Sequence, residues 1–165
     1  MGGGPLIFVT IGSMFPFDRL VRLVDELAPE FPNQEFFAQI AEGTYLPVNI
    51  PYTRMLSRRE FSDRVQAAEI IIAHAGMGSV ISAMELNKPI VIFPRQVEYG
   101  EVTTDHQTAT ARWLREKPGI FAAMVEADMP QMIAAALATP QGDQAMPTAA
   151  PRGFLDKIST YIKNS

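Results

Sequence analysis

The chain has 165 residues, a net charge of −4 and only 14 basic side chains, so it lacks the basic surplus that phosphate-backbone binding needs; nucleic acid is excluded as the main partner. It has no cysteine, which excludes a disulfide scaffold and a thiolate nucleophile and suits a cytosolic domain. An apolar fraction of 47% with 19% charged residues describes one folded domain with a real core, not a disordered chain.

Met1-Gly2-Gly3-Gly4-Pro5 has no basic n-region, and the apolar run from Leu6 to Ile11 is too short for a secretory signal. Leu6 also stands where a myristoylation signal needs Ser or Thr. No apolar run approaches the roughly 20 residues that span a bilayer. The expectation is a protein that does not insert in a membrane.

Short β-branched or aromatic runs alternate with amphipathic segments. That pattern predicts a parallel sheet covered by helices on both faces. The first strand is predicted over 6–11 and runs into Gly12-Ser13, a tight turn. A helix follows over 17–29, with Leu20, Val21, Leu23, Val24 and Leu27 forming an apolar stripe. Strands are expected over 35–40 and 47–51. Ser57-x-x-Glu60 is a capping box that opens a helix over 58–67.

A buried strand over 69–73 then leads into His74-Ala75-Gly76-Met77-Gly78-Ser79 and a helix over 78–87. Lys88-Pro89 opens the next strand, 89–93, and the loop from Pro94 to Thr104 carries Arg95 and Tyr99. Thr104 or Asp105 caps a helix over 105–116 that begins Asp105-His106-Gln107. A strand over 119–123 and a helix over 128–138, with Pro130 in its first turn, complete the domain.

Pro140, Pro147 and Pro151 mark an extended linker. Beyond it, Leu155, Ile158, Tyr161 and Ile162 lie at helical spacing on a short C-terminal helix. That stripe docks either on its own domain or on a partner chain. The organisation is therefore a Rossmann-like domain over 1–139, then a linker and helix over 140–165.

In a doubly wound sheet, ligands lie beyond the C-terminal strand ends, so Gly12-Ser13 and the second glycine turn face one crevice. A β-branched strand followed by Gly-x-Gly-Ser at a helix start leaves amide N–H groups and the positive helix end pointing outward, an arrangement that binds phosphate. His74 at the strand end reads either as a structural histidine or as a group bordering that phosphate. Two histidines and no cysteine make a zinc site a poor fit. No Asp-x-Asp pair occurs, so neutralisation by amides and a helix dipole, without metal, is expected. Neither Gly-Ser segment completes Gly-x-Ser-x-Gly, which sets a serine hydrolase aside.

Strand, His-Ala-Gly-x-Gly-Ser, helix, Lys-Pro, strand, loop and His-Gln in this order resemble the C-terminal half of glycosyltransferase family 28, the donor-binding half of GT-B nucleotide-sugar enzymes. The resemblance implies donor contacts at Gly12, Ser13, His74, Ala75, Gly76, Met77, Gly78, Ser79, Arg95, Asp105, His106 and Gln107, with the amide of Gln107 reading sugar hydroxyls. The segment from Met55 to Arg58 matches the place where relatives hold the uracil edge. The family's ribose-binding acidic residue falls at Ser82, while Glu85 lies one turn further along; either Glu85 takes over the ribose, or Ser82 holds it.

A GT-B enzyme needs two such domains, and 165 residues supply one. The chain is thus similar to small donor-binding subunits of two-part transferases. These include the eukaryotic lipid-linked N-acetylglucosaminyltransferase and bacterial exopolysaccharide glucuronosyltransferases. The implied donor is a UDP-sugar, with no other cofactor. The implied partner is a membrane-anchored subunit that brings a polyprenyl-diphosphate-linked acceptor and the general base; His74 is the catalytic candidate on this chain. The location implied is cytoplasmic, at the inner membrane face. A non-catalytic or regulatory UDP-sugar-binding module is the alternative.

Overall fold

A computed structural model describes residues 4–13 and 15–139; the linker and helix expected over 140–165 lie outside them. Six parallel strands form one sheet: β1 (Leu6–Thr10), β2 (Glu35–Gln39), β3 (Tyr52–Thr53), β4 (Ala68–His74), β5 (Ile90–Phe93) and β6 (Ile120–Ala122). Their order is β3-β2-β1-β4-β5-β6. Among the described residues, five α-helices connect or follow them: α1 (Asp18–Leu27), α2 (Arg58–Ala67), α3 (Met77–Glu85), α4 (His106–Leu114) and α5 (Met129–Leu137).

Alternation along the strands divides the core into two. Ile7, Val9, Ile70, Ile72 and Val91 point to one face, where Leu20, Val21 and Val24 of α1 and Ile133 and Ala136 of α5 cover them. Phe8, Ile71, Ala73, Ile90 and Ile92 point to the other, against Val65 of α2, Val80 and Ala83 of α3, and Ala111 and Leu114 of α4. The sheet is therefore buried on both sides, as the near-continuous apolar runs of β1, β4 and β5 require.

The strand expected over 47–51 does not form. Pro47 and Pro51 have no N–H to donate to a ladder. The N–H groups of Val48 and Asn49 go instead to the fully buried carboxylate of Asp25 on α1, at 3.0 and 2.7 Å. The same carboxylate accepts the Tyr45 hydroxyl at 2.6 Å, and that hydrogen bond is the main reason the phenol is pushed up to about 12. The edge strand is instead Tyr52–Thr53, paired to Ala38 and Gln39 of β2.

Lys88 also has a structural use. Its ammonium donates to the carbonyls of Gln66 and Ala68 at 2.8 and 2.7 Å, closing the end of α2 where it passes directly into β4. The Lys-Pro pair thus belongs to the bottom of the sheet rather than to the crevice.

Candidate nucleotide-sugar crevice

The strand order reverses direction between β1 and β4, and at such a switch point the two following loops diverge and leave a gap. Register places Thr10 beside Gln39 on one side and beside Ala73 on the other, with His74 beside Phe93. The polar ends of three strands therefore meet at one edge. A crevice of about 380 Å³ opens there, lined by Gly12 and Ser13 after β1, His74 after β4, Gly78, Ser79 and Ser82 of α3, and the Met55–Arg58 segment with Phe61 of α2. A larger hollow of about 460 Å³ lies at the opposite strand ends, around Leu6, Glu35 and Arg64, where no glycine turn opens a helix.

Gly76 sits at the N-cap of α3 in an extended conformation, and the first helical turn closes with the N–H of Val80 on its carbonyl at 3.4 Å. The N–H groups of Met77, Gly78 and Ser79 precede that bond and have no acceptor within the helix. The glycines differ in their reason. A Cβ on Gly76 would overlap the His74 ring, 2.6 Å from Nε2. Gly12 has a φ of +81°, and its Cβ would lie 2.9 Å from the same nitrogen. Gly78 has open space where a Cβ would stand and no positive φ, so its backbone is ordinary helix.

Behind the ring lies Arg95, only 3% exposed. Its Nη2 donates to the carbonyls of Ile11 and Phe15 at 2.9 and 2.6 Å, tying the loop after β1 to the end of β5. Its Nη1 lies 3.3 Å from His74 Nδ1, and its guanidinium covers the Phe17 ring at 5.0 Å. Gln107 of α4 accepts the Arg95 backbone N–H on Oε1 at 3.0 Å and directs Nε2 at His74 Nδ1 from 3.5 Å. Burial, and then the Arg95 charge, push the imidazole down to about 4, so His74 is neutral at physiological pH.

The candidate residues thus separate. Gly12, Ser13, His74, Gly78, Ser79 and Ser82 converge on the crevice, with Ala75, Gly76 and Met77 forming the turn that enters α3. Arg95 and Gln107 stand behind His74; Arg95 Nη1 and Nη2 and both amide atoms of Gln107 have partners, while the buried Arg95 Nε has none. Glu85, Asp105 and His106 are exposed and lie away from the crevice lining. Asp105 occupies the N-cap position of α4 without a side-chain capping bond. Tyr99 packs over the Arg19 guanidinium at 4.5 Å, and Arg19 grips Glu101 with Nε and Nη2 at 3.1 and 3.0 Å; this pair folds the loop after β5 back on α1.

Two residues were missed. Thr10 donates its hydroxyl to Gln39 Oε1 at 2.7 Å, and Gln39 Nε2 donates to the carbonyls of Gly12 and Arg54 at 3.0 and 3.1 Å. Gln39 therefore ties the loop after β1 to the backbone of Arg54 beside the crevice. A polar residue at the C-terminal end of each of two buried strands was the signal that could have found them.

Residues 6–151 match the glycosyltransferase family 28 C-terminal domain. The human UDP-N-acetylglucosamine transferase subunit ALG13 is 28% identical over 127 residues, which are 70% of this chain and 11% of that protein; the mouse protein is 27% identical over 124. The chain thus spans about a tenth of the length of these curated relatives. Among solved structures, ALG13 in solution superposes with a TM-score of 0.63 at 18% identity, covering 94% of each chain. The calicheamicin glycosyltransferase CalG4 gives 0.61 at 16%, covering 98% of this chain and 44% of that one. The shared fold is the Rossmann-like C-terminal half of GT-B glycosyltransferases. With the whole described sheet inside the matched span, the chain belongs to the glycosyltransferase family 28 C-terminal domain family.

Proposed function

We propose that the crevice holds the nucleoside diphosphate of a UDP-sugar, of the UDP-glucuronic acid or UDP-N-acetylglucosamine class. In this reading the chain is the donor-binding subunit of a two-component transferase. The carrying observation is the start of α3: three amides without helical acceptors open at the switch point. No Asp or Glu is among the residues lining the crevice, so nothing there repels a diphosphate. Phe61, Leu56 and Met55 supply an apolar wall for a base at the far end. The donor class is supported by the 28% identical relative, whose name is that of a UDP-N-acetylglucosamine transferase subunit.

Transfer needs an acceptor and a base to deprotonate it. In this proposal a membrane-anchored partner supplies both, with a polyprenyl-diphosphate-linked acceptor, and holds the chain at the inner face of the membrane. No helix of the described residues is long and apolar enough to cross a membrane.

Calorimetric titration with UDP in the presence of EDTA tests the site. One-to-one binding in the micromolar-to-millimolar range is expected, and binding that vanishes with the chelator overturns metal-free recognition. Sugar transfer that appears only when the partner is added supports the subunit reading; UDP-sugar binding with no transfer in the reconstituted pair favours a binding module.

In this reading the ribose contact falls to Ser82. Ser82 lines the crevice, whereas Glu85 is exposed outside it. Ser82→Ala is expected to weaken UDP binding several-fold, about 1 kcal/mol for one hydrogen bond, and Glu85→Ala to leave it unchanged. A loss confined to Glu85→Ala reverses the assignment.

A further inference from the structure

The environment of His74 Nδ1 is one-sided. Arg95 Nη1 stands 3.3 Å from it and Gln107 Nε2 stands 3.5 Å from it, and both of these atoms are donors. Arginine has no acceptor at all. The Gln107 amide cannot be turned round, because its oxygen already receives the Arg95 backbone N–H at 3.0 Å. A proton on Nδ1 would face two N–H groups and find no lone pair. The ring proton therefore belongs on Nε2, the nitrogen on the side of Gly12 and the crevice.

Arg95 faces the ring from the loop after β5 and Gln107 from α4, while Gly12 and Gly76 bring the turns after β1 and β4 close enough that a Cβ on either would meet the ring. Arg95 is the charged group acting on the imidazole, and Glu101 acts on Arg95 in turn.

We propose that Arg95 is a positioning residue that, with Gln107, holds His74 as the Nε2–H tautomer, so that His74 presents a hydrogen-bond donor and not a base to the crevice. The consequence for the donor site, on whose assignment this rests, is specific. An Nε2–H beside the amides of α3 adds a donor for an anionic oxygen and cannot accept a proton from an acceptor hydroxyl. The second consequence concerns Arg95 itself: it acts through His74 and through the Ile11 and Phe15 carbonyls, and does not read the sugar.

Long-range proton–nitrogen correlation NMR on the chain labelled at histidine nitrogen reads the tautomer directly. Only two histidines are present, and the exposed His106 serves as internal reference. The wild-type spectrum is expected to show an unprotonated Nδ1 and a protonated Nε2 for His74 from about pH 6 to 8. A proton on Nδ1 overturns the proposal without any variant.

Arg95→Met is expected to mix the tautomers and to weaken UDP binding roughly tenfold, the scale of one charge-assisted positioning contact. The imidazole pKa should rise from about 4 yet stop short of 6.5, because burial, the larger cause, remains. Arg95→Lys, which keeps a donor toward Nδ1, should restore the tautomer; a retained Nε2–H signature in Arg95→Met overturns the role of Arg95. If UDP fails to bind a wild-type chain that shows the Nε2–H signature, the donor-site reading falls and the tautomer assignment stands.

Discussion

Gly78→Val should lower UDP affinity at least about a hundredfold, nearly 3 kcal/mol, while the protein stays folded. The expectation follows from the space around that residue. Among the described residues, no atom beyond its chain neighbours and its own helical backbone lies within 4 Å of the position a Cβ would take, and Gly78 lines the crevice in ordinary helical backbone. A β carbon there meets no described atom beyond its own helix and no forbidden φ, and valine is no worse than glycine in a helix interior. Its methyl groups fill the volume in front of the α3 amides instead.

Gly76→Val, two residues earlier, should do the opposite. Its Cβ would overlap a ring that Arg95 and Gln107 hold from the other side, so the turn or the ring must move, at a cost of about 2–3 kcal/mol in overpacking. Thermal unfolding and UDP calorimetry on both variants check the contrast. A stable Gly78→Val protein with unchanged affinity would place the diphosphate elsewhere.

Acid should destabilise the protein through His74. The imidazole is held at about 4 in the folded chain against 6.5 unfolded. Between those values the unfolded chain binds more protons, so stability falls as pH falls. The contribution is fully present above 6.5, declines through that window and is gone below about 4. From pH 7 to pH 5 the loss is about 2 kcal/mol, or roughly 5 °C in Tm for a domain of this size. His74→Gln, which cannot titrate, should flatten that part of the profile. Glu60 interferes little there: its carboxyl is lowered from 4.5 by hydrogen bonds with Ser57, so its contribution is lost at more acid pH. Urea unfolding of the two proteins at the two pH values is the measurement. Parallel pH profiles for wild type and variant would show that His74 is not the responsible group.

Much of the architecture could be read from local pattern. The runs Leu6–Thr10, Ala68–His74 and Ile90–Phe93 are apolar because both faces of a parallel sheet are covered, and that property is visible residue by residue. The Ser57–Glu60 capping box is present with both reciprocal hydrogen bonds, at 2.8 and 3.1 Å, since a cap is satisfied within one turn of chain. Pattern failed at 47–51, where an apolar run looks extended but its N–H groups are claimed by Asp25, more than 20 residues away. A side chain that competes with the ladder from such a distance leaves no local trace.

The crevice divides along the same line. Sequence by itself determined that a glycine turn opens a helix after a buried strand, because glycine positions and helix starts are short-range properties: Gly76 stands at the N-cap of α3. Tertiary structure alone decided what the polar residues around it do. Lys88 closes the end of α2. Arg95 turns from a loop residue facing ligand into a buried cation behind His74. Ser82 faces the crevice, and Glu85, one turn on, does not. Thr10 and Gln39, unremarked in the sequence, tie the loop after β1 to the backbone of Arg54. A long polar side chain is committed by the partner it meets, and those partners are brought together only by the strand order β3-β2-β1-β4-β5-β6.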